Sequence, residues 1–220
     1  MPKTIAAIMV TSRCNANCRF CISSKDNIEK TADAIKDLID HLGSEIKRVA
    51  FTGGDVLLRD DIFDLAAYAK SKGYETKIQT NGILLPKISD EKLKNIDIFN
   101  LPLDGDERCI HDEMRFSGSY GLIISNFERL NRMKKRISVT TVFTKKNKRC
   151  MKRMQEILNR YGVESWRIFR FHAAGRGLGH KDEFEVSDDE FLEGAEDLKL
   201  SDGKVYVVGD YFKNEKYEMY

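Results

Sequence analysis

Short apolar runs alternate with stretches of helical spacing along almost the whole chain. Ile5 to Val10 is a continuous apolar run, the pattern of a strand buried on both faces. Between Thr31 and Leu42, the residues Ala34, Ile35, Leu38, Ile39 and Leu42 recur at helical spacing. Val49-Ala50-Phe51 predicts a second strand, ending in Gly53-Gly54. Asp60 and Asp61 are placed to open a helix whose apolar side is Ile62, Phe63, Leu65, Ala66 and Ala69, and Gly73 to close it. Thr76 to Gln79 predicts a third strand, which stops at Thr80-Asn81-Gly82.

The rhythm continues. Ser89 predicts the cap of a brief helix, and Ile96 to Leu103 a strand that stops at Asp104-Gly105. A helix over Tyr120 to Lys135 leads into a strand over Ile137 to Phe143, and a helix over Met151 to Tyr161 into one over Trp166 to Phe171. Asp188 to Leu198 is the last strong helical pattern, and Val205 to Val208 and Tyr211-Phe212 read as terminal strands. About six βα units in a parallel α/β sheet follow from this order. An open sheet and a partial barrel fit it equally well. No repeat or linker interrupts the chain, so residues 1–200 are expected to form one core. Residues 201–220 would supply C-terminal strands or the start of a short extension.

Composition narrows the class. With 220 residues, 41% hydrophobic and 33% charged, the chain is globular and long enough to bury a substantial core. Its 37 basic and 35 acidic residues nearly cancel, which argues against a nucleic-acid binder driven by phosphate neutralisation. No apolar run has the length of a membrane span, and the N-terminus lacks a signal-peptide cleavage pattern, so a cytoplasmic location is expected. The basic residues from Arg129 to Arg136, with Lys145, Lys146, Lys148 and Arg149, read as solvated faces that could also receive an acidic electron donor.

Candidate chemistry concentrates in one place. Three of the five cysteines, Cys14, Cys18 and Cys21, fall within eight residues directly after the first strand. That is a metal-ligand arrangement rather than a disulfide framework. Zinc with a fourth ligand such as His172 or His180 is one reading. A four-iron cluster with one iron left open is the other. Cys109 and Cys150 are isolated thiols, and no cysteine follows Cys150, so a single cluster is expected.

The CxxxCxxC spacing, with the aromatic Phe20 before the last cysteine, resembles the defining motif of the radical S-adenosylmethionine (SAM) enzymes. The resemblance implies a (βα)6 partial TIM barrel and a [4Fe–4S] cluster held by Cys14, Cys18 and Cys21, with SAM on the open iron and Phe20 among the residues that position it. Gly53-Gly54-Asp55 resembles the family's GGE motif, which implies backbone and carboxylate contacts to the SAM ammonium. Thr80-Asn81-Gly82 resembles a segment facing SAM or substrate, so Thr80 and Asn81 are expected to face substrate. Asn100 to Gly105 resembles a segment usually reading SLDG. Pro102 stands where the family has its serine, which leaves Asn100 as the nearest polar replacement. Ala174-Gly175-Arg176-Gly177 resembles a segment at the adenosine end of SAM and adds Arg176 to the cofactor residues. His111 to Arg115 is similar to a stretch of the molybdenum-cofactor, haem and peptide-modifying groups, whereas length and single cluster are similar to viperin-like enzymes.

The implied reaction is reductive cleavage of SAM to methionine and a 5′-deoxyadenosyl radical, which abstracts hydrogen from a cofactor precursor, nucleotide or peptide. It needs an external one-electron donor such as flavodoxin or ferredoxin. The alternative class is a noncatalytic metal-binding module carrying zinc or an iron–sulfur cluster.

Overall fold

The computed structural model describes residues 4–23 and 29–209. They divide into two compact units, one of residues 4–15 and 29–100, the other of residues 16–23 and 101–209.

The first unit carries β1 (Ile5–Thr11), α1 (Ala32–Asp40), β2 (Arg48–Gly53), α2 (Ile62–Ser71), β3 (Glu75–Gln79) and the start of β4 (Ile98–Pro102). Neighbouring strands are parallel, and the register places Ile8, Phe51, Ile78 and Phe99 in one row across them. All four are fully buried. β1 is nevertheless buried on one face only, since Ile5 and Met9 are exposed, so the strand buried on both faces that its apolar run predicts is not what forms. Thr31 caps α1, its hydroxyl accepting from Ala34 N at 3.2 Å. Gly73 closes α2 with φ +87°, a left-handed conformation that favours glycine.

The brief helix expected at Ser89 is not present. Residues 89–94 make successive turns instead, with Lys92 N donating to Ser89 O and Leu93 N to Asp90 O. Only Leu93 and Ile96 are buried in this segment. Two apolar residues three apart anchor a tight turn but not an α-helical face. A single 3-10 turn at Leu85–Lys87 precedes them.

The second unit carries α3 (Arg108–Met114), α4 (Ser119–Arg132), β5 (Arg136–Phe143), α5 (Met151–Arg160), β6 (Ser165–Arg170), α6 (Lys181–Phe184), α7 (Asp188–Ala195) and β7 (Lys204–Val208). β5 pairs with β6 and β6 with β7, both parallel. Trp166 lies at the centre of the core, its indole donating to Thr141 Oγ1 at 2.8 Å while that hydroxyl donates to Leu103 O. α7 opens on a reciprocal cap between Ser187 and Glu190. α3 is an addition to the predicted elements. It places Asp112 where its carboxylate accepts from Gly118 N, Ser119 Oγ and Tyr120 N, and so caps α4. The terminal strand expected at Tyr211-Phe212 lies outside the described residues.

Candidate metal and cofactor site

In the first unit, the carboxyl ends of β1, β2 and β3 converge on the start of the cysteine loop. Gly54 N donates to Thr11 O and Asp55 N to Arg13 O, both at 2.8 Å. Gly53 has φ +139°, and a Cβ on Gly53 or Gly54 would overlap the carbonyl oxygens of Thr11 or Arg13. These glycines therefore serve a close approach of backbone to backbone at the root of the cysteine loop.

Asp55, expected at the SAM ammonium, is engaged with its own loop and the next. Its side chain is fully buried and turned inward: Oδ1 accepts from Leu57 N at 3.0 Å, Oδ2 from Asn81 N at 3.1 Å, and both accept from Thr80 Oγ1. Both carboxylate oxygens accept from protein donors. Burial pushes the Asp55 carboxyl above its ordinary pKa.

Thr80 and Asn81, expected to face substrate, have their polar groups turned to the protein. Both are buried. Thr80 gives its proton to Asp55, while Asn81 Nδ2 donates to Asn15 Oδ1 at 2.7 Å and to Cys14 Sγ at 3.7 Å. Asn81 Oδ1 accepts from Ile83 N. Their polar groups are spent on holding Asp55, Asn15 and Cys14 in place. Asn100 is buried in β4, and its carbonyl accepts from Thr80 N at 3.1 Å.

In the second unit, the rest of the cysteine loop is gripped by side chains distant in sequence. Cys18 is buried and Cys21 half-buried. Arg115 Nη1 donates to Cys18 Sγ at 3.8 Å, and Ser23 N to Cys21 Sγ at 3.4 Å. Phe20 is buried edge-on against Phe184, with the Arg115 guanidinium 5.3 Å from its ring centre. Arg176, expected near adenosine, donates to Cys18 O at 3.2 Å and Ser23 O at 3.4 Å. Gly177 N donates to Cys21 O. The 3-10 segment Gly175–His180 after β6 is thus a clasp on the cysteine loop.

The donor set fits an iron–sulfur cluster. All five cysteines are thiols rather than disulfides. Each of Cys14, Cys18 and Cys21 receives an N–H donor at sulfur, the kind of contact that tunes cluster thiolates. Among the described residues, no group of three or more His, Cys, Asp and Glu closes on one metal-sized point. His180 Nδ1 lies 3.2 Å from Arg19 Nη2. The zinc alternative gains no support here.

Three residues organise this region in ways the sequence did not show: Asp104 and Arg115 stood in motif segments without a role, and Arg59 was not singled out. Asp104 and Arg115 form a buried ion pair in the second unit. In the first, Arg59 is 4% exposed and donates to Val10 O at 3.0 Å and Lys30 O at 2.6 Å, while pairing with Asp61 and Glu29. No spacing rule marks a buried arginine. Only the apolar neighbours Val56, Leu57 and Ile62 around Arg59 could have pointed to it.

Comparison with known proteins agrees with this chemistry. Residues 8–158 match the Radical SAM superfamily. AdoMet-dependent heme synthase of Nitratidesulfovibrio vulgaris is 28% identical over 184 residues, 79% of this chain and 50% of that protein. Mycofactocin maturase MftC of Mycobacterium tuberculosis is 26% identical over 210 residues, 92% of this chain and 53% of that protein. The chain therefore spans about half the length of the curated relatives it matches. Among solved structures, Streptococcus suis SuiB bound to its precursor peptide SuiA superposes with a TM-score of 0.72 at 15% identity, covering 94% of this chain and 49% of that one. SuiB bound to S-adenosylmethionine gives 0.71. These likenesses show the fold, an α/β parallel-strand partial barrel of the (βα)6 type. With the superfamily match running from β1 through α5 and over all three motif cysteines, this chain belongs to the radical SAM superfamily, whose cofactors are a [4Fe–4S] cluster and SAM.

Proposed function

We propose that the chain is the radical SAM core of an enzyme that cleaves SAM reductively and removes a hydrogen atom from an organic substrate. The observation that carries this reading is the cysteine loop itself, with an N–H donor at each of three sulfurs spaced CxxxCxxC. When bound, the cluster and SAM supply a one-electron cleavage of the sulfonium that yields a 5′-deoxyadenosyl radical. Cys14, Cys18 and Cys21 would hold three irons. The backbone after β2 and the segment after β6 keep the loop in shape, and Phe20 and Phe184 help to keep water from it. Gly53, Gly54, Asn100 and Arg176 remain the candidates for contacts to SAM.

Because relatives are named heme synthase and mycofactocin maturase, and SuiB has been seen with a precursor peptide, tetrapyrroles and peptides are the first substrates to try. A flavodoxin or ferredoxin would deliver the electron. No helix among the described residues is long and apolar enough to cross a membrane, which accords with the proposed cytoplasmic setting.

The test is anaerobic reconstitution followed by incubation with SAM and dithionite. Formation of methionine and 5′-deoxyadenosine, lost when any one of Cys14, Cys18 or Cys21 is changed to Ala, is expected. A chain that loads four irons but forms no 5′-deoxyadenosine with any reductant would refute the reading.

A further inference from the structure

Arg115 stands at the end of α3 with three groups around its guanidinium. Nε donates to Asp104 Oδ2, Nη1 donates to Cys18 Sγ at 3.8 Å, and the ring of Phe20 lies beneath. The arginine side chain is 12% exposed and Asp104 is fully buried. Asp104 is itself locked: Val142 N donates to Oδ1 at 2.8 Å, Asn147 Nδ2 donates to its carbonyl at 3.0 Å, and its own N–H donates to His111 Nδ1 at 3.0 Å. Swinging Arg115 away would strand a buried carboxylate, a costly state. A guanidinium stays protonated in proteins, and here its buried carboxylate partner holds it in place. The cation is permanent and its position is fixed.

A fixed cation on a sulfur has a use that packing alone does not require. We propose that Arg115 is a positioning residue that sets the reduction potential of the cluster ligated through Cys18, with Asp104 holding it in place and moderating its charge. The inference rests on Cys18 being a cluster ligand. One-electron reduction by the external donor adds one negative charge to the cluster and its thiolates and breaks no bond. A cation at Cys18 Sγ lowers the energy of that more negative state relative to the oxidised one. Hydrogen bonds to sulfur and local charge are among the levers on cluster potential. At an effective permittivity of about 20, a unit charge within hydrogen-bonding reach is worth several RT. After partial cancellation by Asp104, an effect of about tenfold on the reduced-to-oxidised ratio remains, equivalent to about 59 mV for a one-electron couple.

The experiment is an EPR-monitored redox titration of reconstituted, SAM-free protein, with iron and sulfide assayed on each sample. Wild type is compared with Arg115→Met, Arg115→Lys and Asp104→Asn. Arg115→Met should keep its iron and titrate about 59 mV or more below wild type, Arg115→Lys should recover most of that shift, and Asp104→Asn should move the potential upward. Clusters of equal potential in wild type and Arg115→Met would overturn the proposal. Should Arg115→Met fail to load iron, the other two variants decide: an upward shift in Asp104→Asn supports the assignment, and an unmoved potential overturns it. Wild-type protein that binds no iron would instead remove the cluster ligand on which the inference rests, an outcome separable by the iron assay alone.

Discussion

Replacing Asp55 by Asn puts an amide into a pocket built of donors. Leu57 N points at Oδ1, Asn81 N at Oδ2, and the Thr80 hydroxyl lies between them. The asparagine oxygen can serve only one of the two backbone N–H groups, and its NH2 faces the other. A buried donor left unpaired costs about 1–3 kcal/mol. With the added donor–donor contact, the loss should reach roughly 2–3 kcal/mol, or about 4–12 °C in Tm for a chain of this size.

The loss should also depend on pH. Burial raises the Asp55 pKa in the folded protein above its unfolded value, so the fold binds this proton more tightly than the unfolded chain does. Wild type therefore gains stability from this group as pH falls through the raised pKa, and Asn cannot. The gap in Tm should widen toward acid. Asp55→Glu should be destabilising too, because the site is fully buried and has no room for another methylene. The assays are thermal unfolding by circular dichroism and calorimetric titration of SAM into the reconstituted protein. A SAM affinity reduced ten- to a hundredfold in Asp55→Asn, with Tm unchanged, would refute the reasoning and make the carboxylate a SAM ligand.

Other expectations follow from buried groups. His111 is fully buried, with Nδ1 accepting from Asp104 N, and burial holds its pKa down at about 4. The unfolded imidazole takes its proton near 6.5, so wild type should lose about 3 kcal/mol as pH falls from about 6.5 to about 4. His111→Asn keeps an acceptor for Asp104 N and does not titrate. Urea unfolding should therefore show the two proteins converging by that amount between pH 7 and pH 4, and a constant difference would sink the assignment. Arg59→Met strips a donor from the Val10 and Lys30 carbonyls and should cost roughly 2–3 kcal/mol; an unshifted urea midpoint would contradict this. Cys150, pushed up to about 12 by burial, should resist iodoacetamide in the native protein at pH 8, and Cys150→Ala should bind as much iron as wild type. Rapid labelling of Cys150, or iron loss in the variant, would count against a single cluster.

β1, β2 and β4 were legible as apolar runs that contribute Ile8, Phe51 and Phe99 to one buried row, whereas β3 and β6 carry charged residues and were legible by their place between helices and turn residues. The long helices were legible through their spacing, and α1 and α7 through the caps Thr31 and Ser187. α3 was not, since Arg108 to Met114 buries only His111 and Met114 and carries no apolar stripe. The CxxxCxxC spacing that carries the family match could be read directly, because thiols so spaced have few uses other than as metal ligands. The direction in which Asp55, Thr80 and Asn81 point could not. A polar residue at a strand end serves a ligand or its own loop equally well, and only the hydrogen-bond partners decide. Arg176 shows the same ambiguity: its charge was visible, but the two carbonyls that receive its protons lie more than 150 positions earlier.

That separation bears on how the protein is made. Cys18 and Cys21 emerge early in synthesis, yet they group with residues 101–209 rather than with the strand that precedes them. Cys18 meets Arg115 across 97 positions and Arg176 across 158. At roughly 5–20 residues per second, the ribosome needs about 8–30 s to deliver the later partner. During that interval the nascent thiols lack the side chains that shape their loop, while β1 to β3 and their helices have already been translated. The order of translation thus places formation of the metal-binding loop after completion of the sixth strand. A ribosome stalled before Arg176 would hold a chain with all three motif cysteines and an unfinished loop around them.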